Sequence, residues 1–232
     1  MKLGIMQPYF LPYIGYFQLI NAVDVFVVYD NIKYTKKGWI NRNRFLLNGK
    51  DTLFTIPISK DSDFLDIKDR HIADNFDKKK IITQLKSSYS KSPEYQKVMP
   101  LVEDCILCMD NNLFDYIFYS LGIICTYLNI KTQFQISSQI DINHELKGQN
   151  KVLEICKKMN ASVYINAIGG QELYSKEIFK NNGMDLKFIK SNGIEYPQFK
   201  HEFVPWLSII DVMMFNSKEK ISDYLNIQYT LN

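Results

Sequence analysis

Residues 2–30 read K-L-G-I-M-Q-P-Y-F-L-P-Y-I-G-Y-F-Q-L-I-N-A-V-D-V-F-V-V-Y-D, and this stretch decides the fold class. Lys2–Met6 is a short apolar strand. Gln7-Pro8-Tyr9-Phe10-Leu11-Pro12 is a turn, because each proline biases the residue before it away from helix. Pro12 suits the first position of a helix running to about Asn21, where its fixed φ fits and its missing N–H costs nothing. Asp24–Asp30 is a second strand, dense in β-branched and aromatic residues. Its near-continuous apolarity is what a parallel sheet covered on both faces requires. Strand, helix and strand form a βαβ unit, whose crossover is right-handed.

Working outward, a polar, basic loop follows Asp30 and runs through Arg44. Arg44–Leu47 and Thr52–Ile58 then flank Asn48-Gly49, a strong hairpin signal. Residues 60–71 are polar, with alternation at Leu65-Asp66-Ile67. The period turns helical over residues 73–128, predicting helices at about 73–88, 94–110 and 113–128. Pro93 marks the start of the second. Alternation then resumes. Strands are expected at Thr132–Ile136, Ser162–Asn166 and Asp185–Ile189, and helices at Lys147–Met159 and residues 172–182. Short helices follow at Trp206–Phe215 and Lys218–Leu225. The pattern predicts an α/β fold with a mainly parallel sheet. The expected organisation is a single α/β domain over 1–232, with a helical subdomain inserted at about 73–130.

Composition excludes several classes. Hydrophobic residues are 46% and charged residues 23% of 232, so collagen, coiled coil, disorder and a disulfide scaffold do not fit. A net charge of +3 is too small for the concentrated basic face that binds duplex nucleic acid. The N-terminus has no continuous apolar core of a signal peptide, being broken at Gln7 and Pro8. The longest apolar-rich stretch, Leu113–Leu128, contains Asp115 and reads as a buried helix, not a membrane span. A cytoplasmic location is the expectation. Cys105 and Cys108 have C-x-x-C spacing, but no second pair follows, so core thiols are expected and no metal site.

Four segments carry candidate chemistry. In the turn after the first strand, Gln7, Tyr9, Tyr13, Gly15 and Tyr16 stand where a parallel sheet presents ligands, and the tyrosines can line a pocket for a base or sugar. Gly15 would let a ligand approach the opening turn of the helix. After the second strand come Asp30, Lys33, Trp39, Asn41, Arg42, Asn43 and Arg44. The chain has only three arginines, Arg42, Arg44 and Arg70, so two in one tetrapeptide point to geometry; an arginine fork grips phosphate bidentately. Gly169 and Gly170 sit at another strand-to-helix junction, where positive φ would permit either an anion cradle or a tight turn. The stretch from Tyr196 to Asp211 reads mainly as structural. His71, His144 and His201 lack metal-ligand spacing; Asp30 and His71 are the first candidates for proton transfer.

With these residues in view, the chain resembles the WbqC-like family. The resemblance rests on Q-P-x-x-x-P-x-x-G-Y-F at Gln7–Phe17, D-V-F-V-x-Y-D at Asp24–Asp30, W-I-N-R-N-R at Trp39–Arg44 and L-S-I-I-D at Leu207–Asp211. It implies transfer of an amino acid, often given as glycine, in O-antigen biosynthesis. The acceptor would be a nucleotide-linked amino sugar, and the donor an adenylate or an aminoacyl-tRNA. More distantly, the opening is similar to the nucleotidyltransferase (HUP-like) and pantothenate-synthetase architecture. There an H-x-G-H motif holds ATP; here Tyr13-Ile14-Gly15-Tyr16 replaces both histidines with phenols. That likeness implies one alternative to the transferase, an adenylate-forming ligase with ATP as cofactor; the non-enzyme alternative is a non-catalytic nucleotide-sugar-binding protein of the same pathway.

Overall fold

The computed structural model describes residues 1–200 and 202–232, so His201 lies outside the described residues. Strand β1 (Lys2–Met6) and strand β2 (Val25–Val28) pair in parallel, with helix α1 (Ile14–Asn21) between them. All four residues of β2 are buried, which is why its sequence is apolar without alternation. The strand is shorter than the predicted Asp24–Asp30, its register with β1 running from Val25 to Val28. Asp24 Oδ2 accepts the Lys2 N–H at 2.7 Å, and Asp30 turns to Ser138.

Strands β3 (Arg42–Leu47) and β4 (Lys50–Thr55) form the predicted hairpin, as a separate two-stranded sheet. Asn48 and Gly49 both have positive φ, 53° and 75°, the pair of values that a two-residue hairpin turn needs. Three helices follow: α2 (Lys78–Tyr89), α3 (Tyr95–Leu107) and α4 (Leu113–Tyr127). Helix α2 starts later than residue 73 because Asp77 caps it, accepting from Lys80 N at 2.9 Å.

The main sheet is completed by β5 (Gln133–Ile136), β6 (Val163–Ala167), β7 (Asp185–Ser191) and β8 (Tyr229–Leu231). Its order is β5-β2-β1-β6-β7-β8, parallel throughout except for the antiparallel β7–β8 pair. Helices α5 (Gly148–Lys158) and α6 (Lys176–Asn181) connect the later strands. Helices α7 (Ile209–Phe215) and α8 (Lys218–Ile227) precede β8. The last helix pair starts at Ile209 rather than Trp206 because Ser208 caps α7.

Two apolar layers cover the sheet. Leu3 and Ile5 of β1 pack with Val25 and Val27 of β2 against Val152 and Ile155 of α5 and Phe179 of α6. On the other face, Phe26 and Val28 join a core with α1, the hairpin, α2–α4, α7 and α8. Cys105, Cys125 and Cys156 are buried within these cores, and burial pushes the Cys125 and Cys156 thiols up to about 12. Among the described residues, no helix is long and apolar enough to cross a membrane. Strand β1 has β2 on one side and β6 on the other, so the winding reverses between β1 and β6. The carboxyl ends of the strands there open the crevice in which such sheets place ligands.

Candidate functional site

Three of the quoted motifs meet beside this crevice and are tied by hydrogen bonds. Phe10 N donates to the Ile40 carbonyl at 2.9 Å. Asn43 Nδ2 donates to the Leu11 carbonyl at 2.8 Å, and Ser208 Oγ donates to the same carbonyl at 2.7 Å. Ser208 N donates to the Arg44 carbonyl at 2.8 Å, and Ile209 N to the Pro12 carbonyl at 2.8 Å. The turn after β1, the start of β3 and the cap of α7 therefore form one unit. Asn41 is spent inside it, accepting from Tyr34 Oη at 2.8 Å and donating to the Ile56 carbonyl at 2.7 Å. Leu11 and Trp206 hold positive φ, 44° and 60°, a strained state for bulky side chains that concentrates where geometry is over-determined.

Two cavities open on this unit. The first, about 190 Å3, is lined by Tyr9, Pro12, Tyr13, Trp39, Asn43, Arg44 and Trp206. The second, about 230 Å3, includes Tyr13, Trp206, Ser191, Asn192, Glu195 and Tyr196 in its lining. Tyr13 and Trp206 line both, with ring centroids 6.0 Å apart at 69°, so the cavities are two arms of one aromatic cleft. Among the described residues, Arg44 is the one cationic side chain in the lining and Glu195 the one carboxylate, each in its own arm. Trp39 is 43% and Trp206 53% exposed, large apolar areas left open at the mouth.

The electrostatics favour neutral phenols. Burial raises the Tyr9 and Tyr13 hydroxyls above their ordinary value, so both stay protonated at neutral pH and offer donors and ring faces. Arg42 and Arg44 both lie over the Trp39 ring, at 5.7 and 5.5 Å. Arg42 is committed to local structure, donating Nε to the Gly38 carbonyl at 2.9 Å and Nη2 to the Lys37 carbonyl. Arg44 pairs with half-exposed Asp51 at 2.9 Å and donates Nη2 to the Trp206 carbonyl at 3.4 Å, while its buried Nε has no partner. An exposed pair of this kind is weak and readily exchanged.

Other sequence candidates fall elsewhere. Gly15 does not open α1 to a ligand; a Cβ there would lie 2.3 Å from the Tyr13 ring, so the glycine makes room for that phenol over the first turn. Tyr16 is buried and donates to the Gln7 carbonyl at 2.9 Å. Asp30 is buried at the end of β2, accepting from Ser138 N at 2.8 Å and Ser138 Oγ at 2.5 Å. It lines neither arm, and His71 is an exposed bridge partner of Asn112. Gly169 and Gly170 do not take positive φ; they lie in a 3-10 turn, Ile168–Leu173, where the predicted helix would have begun. Lys33 lines a different cavity. Glu195 lies outside every segment the sequence marks, and Trp206 lies in the Tyr196–Asp211 stretch that reads mainly as structural, because the chain there has no period to place it.

The Tyr13–Gly15 contact makes a clean test. Ala at residue 15 favours helix by up to about 1 kcal/mol, while its methyl must push the Tyr13 ring aside. Gly15→Ala is expected to keep its melting temperature and to lose ligand-induced stabilisation in a thermal-shift assay. A variant that binds as well as the parent would show that the Tyr13 wall is dispensable.

Residues 7–223 match the WbqC-like protein family. The chain is 26% identical over 227 residues to the uncharacterized protein Rv1507c of Mycobacterium tuberculosis (strain ATCC 25618 / H37Rv), covering 97% of each. No solved structure matches at a significant level. The family match takes in all four motifs, three of which build the cleft wall described above, and the chain belongs to the WbqC-like protein family.

Proposed function

We propose that this protein is a transferase that joins an amino acid such as glycine to the amino group of a nucleotide-linked amino sugar, for bacterial surface polysaccharide (O-antigen). The observation that carries the reading is the two-armed aromatic cleft, with one guanidinium in one arm and one carboxylate in the other. A nucleotide sugar has matching parts. Its base and sugar rings stack on Trp39, Tyr13 and Trp206, its diphosphate takes the Arg44 fork, and its amine faces Glu195. Asn192 and Ser191, in the Glu195 arm, offer hydrogen bonds to sugar hydroxyls.

The chemistry follows from that placement. Glu195 takes a proton from the sugar ammonium, and the freed nitrogen attacks the carbonyl carbon of an activated aminoacyl group. An amide forms, and the electron pair leaves with AMP from an adenylate or with the ribose hydroxyl of a tRNA. The ligase alternative gains less support, because the Tyr13 ring covers the helix turn where ATP phosphates would dock.

A thermal-shift screen tests the reading. Uridine or thymidine diphosphate amino sugars are expected to raise the melting temperature, since a ligand of the native state stabilises it. Arg44→Ala should weaken that binding by roughly 10–100-fold, the worth of a charge-assisted hydrogen-bond pair. Stabilisation by ATP alone would replace the transferase with the ligase.

A further inference from the structure

Lys151 is the one buried lysine among the described residues, 4% exposed. Its ammonium has three donors, of which one reaches the Asn31 carbonyl at 3.2 Å. Among the described residues no carboxylate forms an ion pair with it. Its neighbour is the Tyr29 ring, 5.3 Å from Nζ. The Asp66, Asp30 and Glu145 carboxylates act on it only from beyond ion-pair distance, and a buried ammonium without a close partner is costly to keep.

The setting increases that cost. Lys151 stands in the first turn of α5, where the helix dipole is positive and a cation is unfavourable. The N-cap, Lys147, offers no side-chain cap to the first N–H groups. Gln149 turns away to accept from Ser175 N at 2.6 Å. Gly148 holds φ +53° with open space above its Cα. These features face a cavity of about 690 Å3 at the carboxyl ends of β2 and β5, whose lining includes Lys33, Lys68, Lys147 and Lys151 against two carboxylates, Asp66 and Glu145. Asn31 Nδ2 donates to His144 Nδ1 at 2.9 Å at the same rim. Desolvation lowers the Lys151 ammonium from its ordinary value, opposed by the Asp66, Asp30 and Glu145 carboxylates.

We propose that this cavity is a phosphate site, which takes the diphosphate or triphosphate of a nucleotide against Lys151 and the open turn of α5. It shares no lining residue with the aromatic cleft, so it stands whether or not the cleft holds an amino sugar. Two sources offer this chemistry: the triphosphate of ATP, and the diphosphate of a nucleotide sugar, which would then sit here in place of Arg44.

Inorganic pyrophosphate is the probe, followed by calorimetric titration and by thermal shift on the full chain. At saturation it should raise the melting temperature by roughly 5 °C. Lys151→Met should melt at or above the parent temperature without ligand, because a buried charge with no close ion-pair partner is gone, and should bind pyrophosphate at least about tenfold more weakly. Exposed Lys147→Met should weaken binding in the same direction, and serves if Lys151→Met does not fold. Lys157→Met, on the same helix but exposed and away from the cavity, should bind as the parent does. A smaller loss at Lys151, or no stabilisation of the parent by pyrophosphate, overturns the proposal. Competition then names the source: displacement by ATP assigns the triphosphate, and displacement by the nucleotide sugar assigns the diphosphate. Displacement by neither overturns the assignment to a nucleotide.

Discussion

Asp211→Ala is expected to lower stability by about 3 kcal/mol, and the melting temperature by roughly 6–12 °C. Asp211 is fully buried in α7 and accepts from Tyr89 Oη at 2.9 Å, Tyr196 Oη at 2.7 Å and Gln198 Nε2 at 2.6 Å. Tyr89 Oη accepts in turn from Leu46 N at 2.9 Å, so one carboxylate joins α2, β3, α7 and the 196–198 segment. Truncation leaves buried donors without an acceptor, which costs more than the bonds themselves contributed. The pH dependence has a definite sign. Burial raises the Asp211 carboxyl above its ordinary value, although its three donors pull it back. Above the unfolded carboxyl value of about 3.9, the native state therefore holds a proton that the unfolded chain has lost. Parent stability falls as pH rises through that window, and the Ala variant lacks this contribution. Its deficit should be larger near about pH 4 than near about pH 7 in paired thermal melts. An equal deficit at both would remove the titration argument.

The fold was legible where burial is two-sided or turn chemistry is strict. Val25–Val28 reads as a central strand because all its side chains are covered, and Asn48-Gly49 reads as a hairpin because few other pairs hold positive φ twice. Edge strand β8 was not legible; Tyr229–Leu231 is three half-open residues held by backbone pairing to β7, which leaves no period. The glycines misled in both directions. Gly15 fits a phosphate cradle by sequence, yet its space is filled by Tyr13; Gly169-Gly170 suggests a special backbone, yet both take ordinary φ.

The candidate site was half legible for a related reason. Tyr9, Tyr13, Trp39 and Arg44 were marked by type and local density, and the structure brings them into one cavity. Their counterparts, Trp206 and Glu195, belong to the irregular stretch between β7 and α7. That stretch is placed by long-range bonds, such as Ser208 N to the Arg44 carbonyl, which no local pattern encodes. The same tie explains why the Leu207–Asp211 motif, read as structural, nevertheless shapes the cleft: it fixes the backbone that carries Trp206 at φ 60°.

Glu195→Gln gives the largest expected effect on turnover. Among the described residues Glu195 is the one carboxylate lining the cleft, and it is exposed, so the substitution removes a base without disturbing a core. An attacking amine must lose its proton before or during amide formation, and a positioned general base contributes roughly 10²–10⁴-fold. The Gln variant should retain the amino-sugar nucleotide, since the amide still accepts a hydrogen bond, while the rate of aminoacyl transfer falls by that factor. A purely structural role for Glu195 would lower affinity and rate together. Asp30→Asn makes the contrasting case. Its carboxylate is buried on Ser138, so that substitution should lower the melting temperature and leave turnover of the folded enzyme near the parent value. If Asp30→Asn alone abolishes turnover while Glu195→Gln keeps it in full, proton transfer belongs to the end of β2 and the amine must approach from the lysine-lined cavity instead.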